Sequence, residues 1–172
     1  MRPEGFFHFI KMAKEIQLTQ GKVAIVDDDD FDYLNQWKWY ANKLMGKFYA
    51  VRNNRINKKH VGSLIMHRIL MKTPKDLIVD HINGNTLDNR KCNLRNCTYS
   101  QNSQNQKISI KNTSGYKGVY YQKRDNNWRV IIKCNHIRIH IGIFECIIEA
   151  ARAYNAAALK YHGEFANLNK ID

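Results

Sequence analysis

No C-x-x-C pair occurs among the four cysteines, Cys92, Cys97, Cys134 and Cys146. Structural zinc sites often draw on two such pairs, so the sequence predicts no structural zinc. An export signal is also missing. The opening stretch carries Phe6, Phe7 and Phe9, but Glu4 and His8 interrupt it, and it is too short for a signal peptide. Without export the thiols are expected to stay reduced, which excludes disulfides. No apolar run reaches the length of a membrane span. No amphipathic basic helix is evident, which argues against an anionic lipid surface as partner. Acidic residues are scarce: 15 Asp and Glu stand against 28 Lys and Arg, for a net charge of +13. The imbalance is local. Residues 41–113 hold 14 basic and 3 acidic side chains, whereas residues 1–40 hold 5 and 7. A field of this kind favours a polyanion, and nucleic acid is the commonest one.

What is present fits a folded soluble protein of one ordinary domain or two small ones. Met12 is followed by what looks like a fresh start, so residues 1–12 read as an unstructured extension. Strands are expected at Glu15–Leu18 and Val23–Val26, joined at Gln20–Gly21. The acidic run Asp27–Asp30 with Asp32 belongs in the first turn of a helix, where carboxylates meet its positive end. Trp37, Trp39 and Tyr40, and then Phe48 to Val51, read as strands whose aromatics fill a small core. Residues 62–72 read as a short amphipathic helix carrying His67 and Arg68, closed by Pro74. A strand at 77–81 ends in Asp80 and His81. Asn83-Gly84-Asn85 signals a tight reversal. Residues 94–98 return as a strand, and residues 100–107 form a short helix. After a polar connector at 108–113 come strands at 116–121, 128–133 and 137–141. A helix at Glu149–His162 follows, with Ala150, Ala153, Tyr154, Ala157 and Tyr161 at helical spacing. The alternation in the middle strand of this part sets Trp128, Val130 and Ile132 on one face and Arg129, Ile131 and Lys133 on the other.

The residues that carry chemistry are Asp80-His81, then Asn93, then Asn102, in the order strand, loop, strand, helix. Histidine titrates near pH 6.5, so at neutral pH His81 can accept a proton from water. Asp80 and Asn102 supply oxygens suited to a hard divalent cation, which neutralises charge on a phosphate and its leaving oxygen. Neighbours on a regular strand face opposite ways. Asp80 and His81 can therefore serve one site only if the strand ends or twists there.

The stretch Val79-Asp80-His81-Ile82-Asn83-Gly84-Asn85-Thr86-Leu87-Asp88-Asn89-Arg90-Lys91-Cys92-Asn93-Leu94-Arg95, with Met66-His67-Arg68 upstream, resembles the HNH nucleases, in particular the phage homing-endonuclease branch. The resemblance implies a ββα-metal motif over about 76–107, in which Asn93 ties down the loop and orients the histidine. The third motif position is Asn102 here where the family name calls for His. That favours magnesium, or manganese, over zinc. Arg68, Arg90 and Arg95 are candidates for phosphate contacts.

Farther on, Gly115-Tyr116-Lys117-Gly118-Val119, the Trp128 strand, Ile141-Gly142-Ile143-Phe144, Glu149-Ala150-Ala151-Arg152-Ala153-Tyr154 and Gly163-Glu164-Phe165-Ala166-Asn167 resemble the plant Apetala / ethylene-response-factor DNA-binding domain. That implies three antiparallel strands backed by one helix, with the sheet in the major groove. The positions that carry over as DNA contacts are Lys117, Tyr120, Gln122, Arg124, Arg129, Lys133, Arg138 and His140. Tyr120, Ile131 and His140 depart from the residues the plant domains use, so groove binding carries over and the plant target sequence does not.

The expectation is therefore an α+β protein with a nuclease domain at 13–107, a linker at 108–113 and a DNA-reading domain at 114–169. Its catalytic set is Asp80, His81, Asn93 and Asn102, with Asp80 and Asn102 on a divalent cation. The partner is double-stranded DNA, the protein is expected to act as a monomer, and its place is the cytoplasm of a bacterial or phage-infected cell. The resemblance points to a homing endonuclease. A restriction or packaging nuclease and a catalytically inactive DNA-binding regulator are the alternatives. The tail is expected to supply recognition, and the nuclease part to keep its catalysis without it.

Overall fold

The structure, a computed structural model, describes residues 12–171. The extension expected over residues 1–12 lies, Met12 apart, outside the described residues. The chain forms several small antiparallel sheets and few helices, an α+β fold. It divides into two compact units. One holds residues up to Pro74 together with His81–Asn96; the other holds Lys75–Asp80 and everything from Cys97 on. Among the described residues no helix is long and apolar enough to cross a membrane.

In the first unit, β1 (Ala13–Gln17) and β2 (Val23–Asp27) pair as an antiparallel hairpin. The acidic run then enters α1 (Asp28–Leu34), with Asp28, Asp29 and Asp30 in its first turn as expected from the sign of the helix end. A meander of β3 (Tyr40–Leu44), β4 (Lys47–Ile56) and β5 (Lys59–Ile65) follows, and β5 runs directly into α2 (Met66–Leu70). Two-residue turns with positive φ at both positions, Met45–Gly46 and Asn57–Lys58, connect the meander. Their twist matches that of the strands they join. The core is Ile16, Ala24, Val26, Leu34, Trp39, Ala41, Ala50 and Met66. Two expectations change here. Trp37 and Trp39 precede the strand; Trp39 is buried by the core and donates its indole N–H to Leu34 O at 2.8 Å. Residues 62–65 are strand and not helix. Val51 pairs with Ile65 and Arg52 with Leu64, and this long-range ladder outweighs the local apolar spacing.

The strands β6 (Ile78–His81) and β7 (Leu94–Cys97) form a two-stranded sheet. The long loop that joins them is docked on β2. Ile25 N donates to Leu87 O (2.9 Å), Asn89 N to Ile25 O (2.7 Å), and Lys91 N to the Asp27 carboxylate (2.8 Å). Thr86 Oγ1 donates to Phe48 O at 2.6 Å. A segment that composition alone would leave as surface loop is thus held by backbone and side-chain bonds to strands distant in sequence.

In the second unit, α3 (Tyr99–Asn105) starts on a capping box between Thr98 and Gln101. Next come β8 (Val119–Gln122), β9 (Asn127–Cys134) and β10 (Ile137–Phe144), an antiparallel sheet with β9 in the centre. The helix α4 (Ile147–His162) packs Ala150, Tyr154, Ala157 and Ala158 onto Val119, Val130 and Ile132. Small side chains on α4 let helix and sheet approach closely. The strand expected from residue 116 starts only at Val119, because Gly118 has φ +74. A Cβ there would sit 2.2 Å from the Tyr154 ring and 2.8 Å from Ile131 O. Gly118→Ala combines a left-handed backbone with overpacking, so it should lower stability by about 2–4 kcal/mol. The check is the urea midpoint read through Trp128 fluorescence; an unchanged midpoint refutes the close approach.

Candidate active site and nucleic-acid face

β6 ends at His81, whose carbonyl accepts Gly84 N at 2.8 Å as the chain turns. The strand therefore stops where the sequence argument required it to stop. His81 is 5% exposed and Asp80 4% exposed.

His81 lies in the first unit. Its Nε2 is 3.3 Å from Asn89 Oδ1, and Asn89 is itself 1% exposed. The Asn89 amide donates from Nδ2 to Leu87 O at 3.3 Å, which turns its oxygen toward the imidazole. The Asn89 oxygen accepts only, so this contact is a hydrogen bond when Nε2 carries the proton. The His81 ring also meets His67 edge-on at 5.1 Å, and Tyr49 at 6.5 Å. His67 is buried. Burial, with the neighbouring His81 and Arg68, lowers its pKa to about 3, so it stays neutral at working pH.

Asn93 holds the loop at both ends. Its Oδ1 accepts Asn83 N (2.9 Å), its Nδ2 donates to Asp88 O (2.8 Å), and its carbonyl accepts Ile82 N (2.9 Å). Asp88, 2% exposed, receives Arg90 Nε at 2.8 Å and Arg90 Nη2 at 2.7 Å. The Arg90 bond holds the Asp88 carboxyl below its ordinary range. Arg90, expected on phosphate, thus spends two of its donors inside its own loop. Arg68 Nη2 donates to Thr73 O and Pro74 O, and Arg95 is half-buried on β7.

Asp80 and α3 belong to the second unit. Both Asp80 oxygens receive Asn105 Nδ2, each at 3.0 Å. Asn102 lies three residues earlier on the same helix and is half-buried. The sequence reading missed Asn89 and Asn105. The second had one usable signal: it stands at i+3 from Asn102, on the same helix face. Among the described residues no group of three His, Cys, Asp or Glu gathers, and all four cysteines are free.

On the sheet of the second unit, register brings the expected DNA contacts together. Tyr120 stands opposite Arg129, Lys133 opposite Arg138, and Ile131 opposite His140. Arg129, Lys133, Arg138, His140 and Tyr120 are exposed, as is Arg124; Gln122 is half-buried. Like charges placed directly across a ladder repel each other, which suits the face to an anion. Lys117 differs. Its Nζ donates to Gln104 O (2.6 Å) and Gln106 O (2.7 Å), and burial lowers its pKa to about 8.

Two of these shifts bear on the acid response of the fold, and burial lowers the His162 pKa in the same direction as that of His67. Unfolded, His67 takes a proton near pH 6.5; folded, it resists until about 3. Stability should therefore fall as pH drops below 6.5, by at most about 1.4 kcal/mol per pH unit. Asp88, depressed by Arg90, adds stability that is present above its unfolded pKa and lost below it. His67→Phe should reduce the loss between pH 6.5 and about 4.5, leaving the part that His162 contributes, and keep the lower limb. Urea titrations at pH 7, 5 and 4 test this; a parental slope in the variant contradicts it.

Residues 72–104 match the HNH endonuclease family, and residues 114–164 match the AP2 domain family. The chain is 33% identical over 159 residues to a protein of Acanthamoeba polyphaga mimivirus described as an uncharacterized HNH endonuclease, spanning 89% of this chain and 78% of that one. It is 32% identical over 93 residues to Protein 3.8 of Escherichia phage T7, spanning 54% of this chain and 76% of that one. No solved structure matches.

Proposed function

The chain belongs to the HNH endonuclease family, and from that premise we propose that it is a metal-dependent DNA endonuclease whose base is His81, targeted by its C-terminal sheet and acting as a homing endonuclease. The observation that carries the reading is the buried His81, whose Nε2 meets Asn89 Oδ1 and whose covalent neighbour is the buried carboxylate Asp80. The functional division proposed is a nuclease part at 13–107 and a reader at 114–169. The reading places the protein inside a bacterial or phage-infected cell.

HNH nucleases generally use a divalent metal ion. The donor set fits a hard cation: one buried carboxylate, Asp80, with the amide oxygen of Asn102 on α3. Waters and phosphate oxygens would complete such a shell, and magnesium, or manganese, suits it best. The ion, when bound, supplies positive charge for the phosphate and the leaving oxygen. Asn105 orients Asp80 by bridging both its oxygens. His81 takes a proton from water as the water oxygen bonds to phosphorus. The P–O3′ bond breaks, and the 3′ oxygen takes a proton from solvent. Asn93 keeps the loop, and with it the imidazole, in place.

DNA binding is indicated by both matched families. The exposed Arg129, Lys133 and Arg138 of the C-terminal sheet suit phosphate contacts, and a sheet of this width enters the major groove. Supercoiled plasmid incubated with the protein, with magnesium or with EDTA, tests the activity. Magnesium-dependent nicked or linear product is expected; an intact plasmid under both conditions, with DNA still bound, favours an inactive regulator.

A further inference from the structure

The last carbonyls of a helix have no partner within it and must find one elsewhere. In α3 this matters more than usual. The helix has seven residues, Tyr-Ser-Gln-Asn-Ser-Gln-Asn, too few and too poor in helix formers to be stable alone. Its start is closed by Thr98 and Gln101. At its end no glycine turns the chain back; Gln106 is extended, at φ −60 and ψ 140. Three successive carbonyls are instead closed by side chains from the far side of the connector. Lys117 Nζ bonds Gln104 O at 2.6 Å and Gln106 O at 2.7 Å, and Asn167 Nδ2 bonds Asn105 O at 2.7 Å.

Lys117 is itself anchored through its backbone. Asn169 accepts Lys117 N through Oδ1 (2.6 Å) and donates through Nδ2 to Lys117 O (3.1 Å). Asn155, on α4, grips Asn169 in the same two-way manner, at 2.9 and 2.7 Å. An unbroken chain of bonds therefore runs from α4 through Asn169 and Lys117 to the end of α3, where Asn105 bridges both oxygens of Asp80. Every member lies in the same compact unit. The lysine is a poor phosphate contact in this state, because its ammonium is half-buried and already shared between two carbonyls.

We infer that Lys117 and Asn167 are positioning residues for the nuclease centre: they cap the helix that carries Asn102 and Asn105, so the C-terminal module is a structural part of the cutting site as well as its reader. This revises the expectation that the nuclease part keeps its catalysis without the tail, and assigns Lys117 to α3 in place of DNA. It rests on the reading of Asp80 as metal ligand given above.

The test uses the full-length protein and compares Lys117→Met, Lys117→Arg and Asn167→Ala with the exposed-lysine control Lys170→Met. For Lys117→Met, kcat on plasmid should fall about 10- to 100-fold, the range seen when a group supporting a metal ligand is lost. KM and duplex affinity at fixed salt should change no more than in Lys170→Met. Amide hydrogen exchange over residues 99–106 should quicken, and calorimetric titration with manganese should show weaker binding. Lys117→Arg, whose fork can still reach two carbonyls, should recover most of each. If Lys117→Met does not fold, Asn167→Ala, which leaves the lysine in place, should show the same pattern to a smaller degree. A variant with parental kcat and exchange, but with weaker DNA binding and a salt slope reduced by about one, makes Lys117 a phosphate contact and overturns the inference. If the parent itself cuts no DNA, the nuclease reading fails by itself. The exchange and manganese measurements then still decide whether the module holds α3.

Discussion

His81→Ala should lower kcat for DNA cleavage about 10²–10⁴-fold, the usual contribution of a positioned general base. Asn89 Nδ2 is held by Leu87 O, so Asn89 Oδ1 faces His81 Nε2 at 3.3 Å and orients the imidazole. The alternative base in reach, His67, has a pKa of about 3 and is too weak to take a proton from water. It cannot stand in for the lost imidazole. Alanine removes the base and leaves the exposed Arg129, Lys133 and Arg138 untouched, so the dissociation constant for a duplex should move little. Asn89→Ala should show a partial form of the same defect, because the ring loses a side chain that orients it. Single-turnover cleavage and a binding titration at the same ionic strength separate the two effects. Parental cleavage by the His81 variant would show that the base lies elsewhere.

Asp80→Ala should remove magnesium-dependent cleavage, a loss of roughly three orders of magnitude or more if several kcal/mol of charge stabilisation go with the cation. Asp80 is 4% exposed and is gripped by a neutral amide on both oxygens. This arrangement aims the carboxylate without neutralising it. Asn102→Ala removes a neutral donor and should chiefly raise the magnesium concentration needed for half-maximal rate. Rates measured over a magnesium series, with manganese in parallel, distinguish a lost ligand from a weakened one. A protein that purifies with zinc and cuts equally well in EDTA-treated buffer and in magnesium sinks this assignment.

Much of the candidate site was readable because its logic is local. The spacing Asp80-His81, Asn93 and Asn102 resembles one family closely, and the order of the elements around it follows from short-range patterns. Asp28–Asp30 announced a helix start, and the alternation around Val130 and Ile132 named the buried face of β9, which the structure has. The failures share a cause. Residues 62–65 fall in a stretch read as helix, yet pair as strand with residues 51–54. Residues 116–118 look extended, yet a ring from α4 demands a left-handed glycine at 118. In both, a partner distant in sequence decides the backbone.

The same division holds for the polar residues. From the sequence alone come the basic excess, the nuclease motif with its histidine and carboxylate, and a cationic strand face, since each depends on composition or on residues close along the chain. Which basic side chains are available to DNA was decided only by the tertiary structure. Arg129, Lys133 and Arg138 stand on an exposed face; Arg90 is engaged by Asp88, and Lys117 by the end of α3. Asn89 and Asn105 were missed for the same reason. Their worth depends on His81, eight residues away, and Asp80, 25 residues away. A polar side chain carries the same donors and acceptors wherever it stands. Whether they meet water, phosphate or a buried partner depends on what folding brings beside it, because a buried polar group must be satisfied and an exposed one need not be.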